Sequence, residues 1–72
     1  DLKVFPNPSN EFISVNLPLA EDLKYEIVST EGKIIKTGTL INAESLIDIT
    51  SLSNDIYFLK INNEVLKFIV KR

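Results

Sequence analysis

The sequence predicts an all-β fold, a compact antiparallel β-sandwich of about seven short strands, and three observations carry that expectation. Ten Ile, five Val and four Thr make up 19 of the 72 residues, whereas Ala occurs twice and Met never. β-Branched side chains lose χ1 freedom in a helix and suit the pleated surface of a strand. Apolar residues recur with period two in short runs, and no helix-period window outlasts a turn. Turn-forming residues separate the runs at intervals of roughly 8–12 residues, the spacing of sandwich strands.

Residues 2–5 form the first expected strand and lead into Pro6-Asn7-Pro8-Ser9-Asn10, where two prolines remove backbone donors and hold an extended bend. Residues 11–17 place Ile13, Val15 and Leu17 on one face and Ser14 and Asn16 on the other, the pattern of a half-buried strand. After an interruption at 18–22, residues 23–28 alternate Leu23, Tyr25 and Ile27 with Lys24 and Glu26. Ser29-Thr30-Glu31-Gly32 then reads as a tight connection, with Gly32 at positive φ, to a partner strand over 33–40. Residues 45–50 alternate through Ile47 and Ile49, and 51–55 form a loop with one apolar plug, Leu52. Residues 56–61 set Tyr57, Leu59 and Ile61 against Phe58 and Lys60. Asn62-Asn63 suits a two-residue type I′ hairpin turn, because Asn tolerates the left-handed region. In residues 64–70, Leu66, Phe68 and Val70 share a face opposite Lys67 and Lys71. No linker, repeat or low-complexity segment interrupts the pattern, so residues 1–72 are expected to be one domain.

Composition narrows the chemistry. With neither Cys nor His, the chain cannot build a disulfide framework, a thiolate metal site or a His-dependent catalytic set. The net charge of −2 is unevenly placed: residues 1–32 hold two lysines against six acidic groups, and residues 33–72 hold six basic groups against four acidic ones. Lys67, Lys71 and Arg72 crowd the end of the chain. No basic run with interleaved aromatics suggests nucleic acid, and no apolar stretch nears the ~20 residues of a membrane-spanning helix. The opening is not a signal peptide, and with no Met the chain is expected to be a piece of a longer precursor.

Carboxylates are the only catalytic raw material. Glu21-Asp22, Asp48 and Asp55 would need a walled cleft and shifted pKa values to act as acid and base, and a sandwich this small leaves little room for one. They read as solvated loop charges. Loop residues Asn7, Asn10, Asn54, Asn62 and Asn63 could offer oxygens to calcium, but EF-hand spacing is missing, and turn formation accounts for them. No metal or other cofactor is expected. Tyr25, Tyr57 and Phe68 lie on the core phase of their strands, while Phe12 and Phe58 are out of phase and expected to be exposed, two aromatics that do not by themselves make a carbohydrate platform. The residues alone therefore point to a non-catalytic role. A carbohydrate- or surface-binding accessory module of a secreted enzyme, or a structural spacer, are the alternatives to a recognition signal.

The order of features along nearly the whole chain resembles the type A C-terminal sorting domain of type IX secretion cargo. Val4-Phe5-Pro6-Asn7-Pro8-Ser9 is similar to the family's opening, and Tyr25-Glu26-Ile27-Val28-Ser29-Thr30-Glu31-Gly32-Lys33 to its hairpin. Ile47-Asp48-Ile49-Thr50-Ser51-Leu52 and Ile56-Tyr57-Phe58-Leu59-Lys60-Ile61 resemble its next two segments, and Lys67-Phe68-Ile69-Val70-Lys71-Arg72 its basic finish. Two positions depart from the pattern. Asp55 stands where the family has Gly before the Tyr, with Asn54-Asp55 expected to supply the left-handed geometry. Ser29 replaces the Asp of the hairpin turn and is expected to make a similar local bond.

The resemblance implies an Ig-like sandwich fused behind a secreted enzyme or adhesin. It implies signal-peptide-driven export to the periplasm, reading by the outer-membrane type IX secretion machinery, and removal by a sortase-like surface peptidase. The cargo would then be linked to surface lipopolysaccharide or released. The implied recognition residues are Pro6, Asn7, Pro8, Gly32, Lys33, Leu52, Tyr57, Lys67, Lys71 and Arg72.

Overall fold

The computed structural model describes residues 3–5, 11–16, 22–41 and 44–72. Among them are seven strands and no helix: β1 (Lys3–Phe5), β2 (Phe12–Asn16), β3 (Leu23–Ser29), β4 (Ile34–Leu40), β5 (Glu44–Asp48), β6 (Asp55–Ile61) and β7 (Glu64–Val70). They form two antiparallel sheets, one ordered β1-β2-β5 and the other β4-β3-β6-β7. The chain changes sheet between β2 and β3, between β4 and β5, and between β5 and β6. Strand pairs formed by crossing between layers in this way are the Greek-key connectivity of Ig-like sandwiches. The expected all-β, Ig-like sandwich is the fold observed.

The period-two pattern places the core. Ile13 and Val15 of β2 and Ile47 of β5 face Tyr25 and Ile27 of β3, Tyr57, Leu59 and Ile61 of β6, and Phe68 and Val70 of β7 in one buried cluster. Leu52 enters it from the loop before β6, as the sequence suggests, and Leu23 and Leu66 pack at its margin. The Tyr57 and Phe68 rings stack at 5.8 Å between centroids and 26° between planes. Ile49, beyond the end of β5, joins the same cluster, and Leu17 lies outside the described residues, as do Pro6, Asn7 and Pro8. The solvent-accessible surface of 4658 Å² is close to the roughly 4,500 Å² that its mass implies for a folded monomer.

Three local details differ from simple alternation. β5 ends at Asp48 rather than running to residue 50, because the Asp48 carboxylate accepts hydrogen bonds from the Thr50 backbone N–H at 2.8 Å and the Thr50 hydroxyl at 2.7 Å. Such an Asx turn offers the backbone a partner outside the ladder. A β-bulge shifts the β3–β4 register between Ile27 and Val28, which pair with Lys36 and Ile34 respectively. The extra residue bends β4 and leaves both Ile34 and Ile35 exposed. Gly38 of β4 has the Tyr25 ring lying over it, so close that a Cβ there would sit 2.6 Å from the ring. Glycine inside this strand is the condition for burying that tyrosine.

Candidate functional site

The seven described recognition residues derived from sequence fall into three places, Pro6, Asn7 and Pro8 lying outside the described residues. Gly32 and Lys33 lie in the β3–β4 turn, and Leu52, Tyr57 and Arg72 meet around the loop between β5 and β6. Lys67 is on β7 and Lys71 directly follows it.

In the β3–β4 turn Gly32 has φ of 84°, the left-handed geometry expected of it. Ser29 organises the rest. Its backbone N–H donates to the Lys33 carbonyl at 2.9 Å and its carbonyl accepts from the Gly32 N–H at 3.0 Å. Its hydroxyl oxygen accepts from the N–H groups of Glu31 and Lys33, each at 3.2 Å. The serine thus does the local work that the family assigns to an aspartate, and the Lys33 side chain is left on the exposed tip of the turn.

Around the β5–β6 loop the residues converge. Tyr57 is buried at the start of β6, and its hydroxyl donates to the Ser53 carbonyl at 2.8 Å, four residues upstream, with the Ser53 hydroxyl 3.3 Å away. This is the tyrosine corner of Ig-like sandwiches, a Tyr near the start of the sixth strand bonding back to the preceding bend. The family-like spacing of Leu52 and Tyr57 is therefore a corner motif. Leu52 is its buried plug, held by its N–H donating to the Ile49 carbonyl at 3.0 Å.

Arg72 fastens the same corner from the other end of the chain. Its guanidinium donates to the Leu52 carbonyl and, at 2.6 Å, to the Ile49 carbonyl. The Asn54 side chain accepts from the Arg72 backbone N–H at 3.1 Å and donates to the Arg72 carbonyl at 3.4 Å. Loop carbonyls that point away from any ladder need donors, and a guanidinium with five N–H groups in a fixed fork supplies two at once. Sequence reasoning grouped Arg72 with Lys67 and Lys71 by charge and had no signal for this inward role, since its acceptors are backbone atoms.

The expectation that Asn54-Asp55 supplies left-handed geometry is corrected: neither residue has positive φ, and among the described non-glycine residues only Asn62 does, at 53°. Asp55 is already extended and paired with Val70, its carboxylate accepting from the Ile56 N–H at 2.7 Å, and Asn54 is occupied by Arg72. The loop needs no glycine here because neither position has positive φ.

Of the carboxylates weighed as acid and base, Asp48 ends β5 in one sheet and Asp55 opens β6 in the other, while Glu21 lies outside the described residues. Asp48 is fully exposed and engaged by Thr50, whose hydroxyl and then backbone N–H hold its carboxyl below the ordinary carboxylate range, with the Lys36 charge adding to the effect. Lys36 itself reaches from β4 across the open side of the sandwich to donate to the Asp48 carbonyl at 2.9 Å. Among the described residues no group of three or more acidic side chains is placed to hold a metal ion. Phe12 and Phe58 are out of phase as expected, Phe12 exposed on the outer face of the β1-β2-β5 sheet and Phe58 half-buried on that of the other sheet, so they share no platform. A cleft of about 390 Å³ opens between the β4 and β5 edges, lined by Tyr25, Leu40 and Ile47 among others. Burial pushes the Tyr25 hydroxyl pKa upward, so it stays protonated at neutral pH.

Comparison with known proteins agrees with the geometry. Residues 3–72 match the family model described as the secretion system C-terminal sorting domain. A search of curated proteins found no match. With almost the whole chain matched, the chain belongs to the type IX secretion C-terminal sorting domain family, whose members are sorting signals for export to the cell surface or extracellular space through the type IX machinery.

Proposed function

We propose that this domain is the non-catalytic address of a longer secreted precursor, carried to the periplasm and read at the outer membrane by the type IX machinery. A sortase-like surface peptidase then removes it, and the cargo is attached to the surface or released. The observation that carries this reading is the family match over residues 3–72. The local chemistry is in keeping with it: the Asp48 and Asp55 carboxylates each accept a hydrogen bond from a neighbouring backbone N–H, those of Thr50 and Ile56.

Within this reading the ten recognition residues divide by task. Gly32, Leu52 and Tyr57 shape the turn and the corner, while Lys33, Lys67 and Lys71, all exposed, present charge to the receptor. Arg72 fixes the end of the chain to the corner, so Lys71 is offered from a held backbone. Pro6, Asn7 and Pro8, which lie outside the described residues, complete the proposed recognition set. The test is a fusion of residues 1–72 behind a periplasmic reporter in a host with the type IX system. The reporter is expected outside the outer membrane and shortened by about the 8.1 kDa of the domain. Export at full length would remove the peptidase step. Retention in the periplasm with Lys71 and Arg72 intact would overturn the sorting role.

A further inference from the structure

The outer face of the four-stranded sheet is unusual for a solvated surface. Tyr57 and Phe68 point into the core, so Ile56, Phe58 and Ile69 point out, and the register sets Phe58 opposite Val28 and Ile56 opposite Ile69. Val28, Phe58 and Ile69 are half-buried, and Ile56 is exposed. A continuous apolar band thus crosses β3, β6 and β7. Charged residues flank it with one predominant sign. Lys24, Lys60 and Lys67 share this face with a single glutamate, Glu26, which lies opposite Lys60. The face therefore carries +2, in a chain whose total is −2, so the remainder carries −4. On the opposite outer face, the described side chains Phe12, Ser14, Leu46 and Asp48 carry no basic surplus.

We infer that this basic, apolar-banded face is the surface by which the domain docks, and that its partner is a protein presenting acidic side chains around an apolar centre. The inference rests on the sorting role proposed above and specifies the surface and chemistry of that recognition. Charge complementarity selects the partner. An apolar centre supplies contact area while flanking charges set orientation and encounter rate. A second copy of the chain would bring like charges together across the face. An anionic bilayer fits less well, because Val28, Phe58 and Ile69 are half-buried and leave only Ile56 of the band exposed for insertion. A protein surface in close contact reads only charges within about 8 Å at physiological salt, and at that range the face is positive.

The test uses residues 1–72 behind the reporter in a type IX host, with a photo-crosslinking amino acid at position 58 or, as control, at position 46. Position 58 is expected to give an adduct with a component of the secretion machinery, identified by mass, at least tenfold above position 46. The double variant Lys24→Glu/Lys60→Glu is expected to lower that adduct at least tenfold with an unchanged thermal midpoint, and so is raising salt to 0.5 M. Lys24→Gln/Lys60→Gln is expected to have a smaller effect than the reversal. Equal adducts at 58 and 46, or export with no adduct at 58, would overturn the docking surface. An adduct at 58 indifferent to charge reversal and salt would overturn the acidic partner. Binding of the purified chain to phosphatidylglycerol vesicles, absent with phosphatidylcholine and abolished by the double reversal, would assign the face to lipid and overturn the protein partner. Failure of the unaltered fusion to leave the periplasm would instead refute the sorting role, which the reporter's location separates from failure of the face.

Discussion

Gly38 and Asp48 show how much of this domain depends on single atoms. At Gly38 the Tyr25 ring occupies the volume of a Cβ, so Gly38→Ala must displace either a buried aromatic or the β4 backbone. Overpacking of this kind costs about 1–3 kcal/mol, and a matching fall in the urea midpoint is expected. Asp48 predicts a pH effect. Its folded carboxyl titrates below the unfolded value of about 3.9, so its stabilising contribution is present above that pH and is lost as pH falls through the lower folded value. Thr50→Val removes the hydroxyl bond but keeps the backbone one, and carboxyl NMR titration should show the Asp48 midpoint rising toward the ordinary range. An unchanged midpoint would show that the hydroxyl is not the dominant cause.

The β6–β7 hairpin and the β5–β6 corner make separable predictions. Asn62, at φ of 53°, can be replaced by Gly with little change in thermal midpoint. Asn62→Val should destabilise by about 1–2 kcal/mol, because a β-branched residue is strained in the left-handed region. At the corner, Tyr57→Phe leaves the Ser53 carbonyl without its hydroxyl donor, and Arg72→Ala strips the guanidinium from the Ile49 and Leu52 carbonyls. Each should cost about 1–3 kcal/mol. Because both hold the same loop, denaturation of the double variant should show a loss smaller than the sum of the single losses. Additive losses would mean that the two ties act on independent structures.

These elements also show what a sequence carries. Strand phase, the Asn62 and Gly32 turns and the Leu52 plug were legible because side-chain polarity alternates with backbone geometry. The bulge at Ile27–Val28, the Asx turn that ends β5 and the Arg72 clamp were not, since each depends on which backbone group is left unpaired once the sheets have assembled. Tyr57 was read as core by its phase, and its second role appears only when the Ser53 carbonyl is seen beneath its hydroxyl.

As a whole molecule, the domain has a single core and no covalent reinforcement. At the usual 0.05–0.15 kcal/mol per residue, 72 residues give about 4–11 kcal/mol of stability. Phe68→Ala, at the most voluminous fully buried side chain, is expected to cost about 3–5 kcal/mol. Circular dichroism should then find the thermal midpoint lowered by at least about 12 °C. An address of this kind needs a defined surface rather than a deep site, and the charge difference between the sandwich's basic face and the rest of the chain provides one. The most direct measurement of the central claim is the fraction of a periplasmic reporter found outside the outer membrane of a type IX host, with and without residues 1–72 at its C-terminus. The account predicts that most of the fused reporter leaves the cell envelope while the bare reporter stays in the periplasm. Equal retention of both would contradict it.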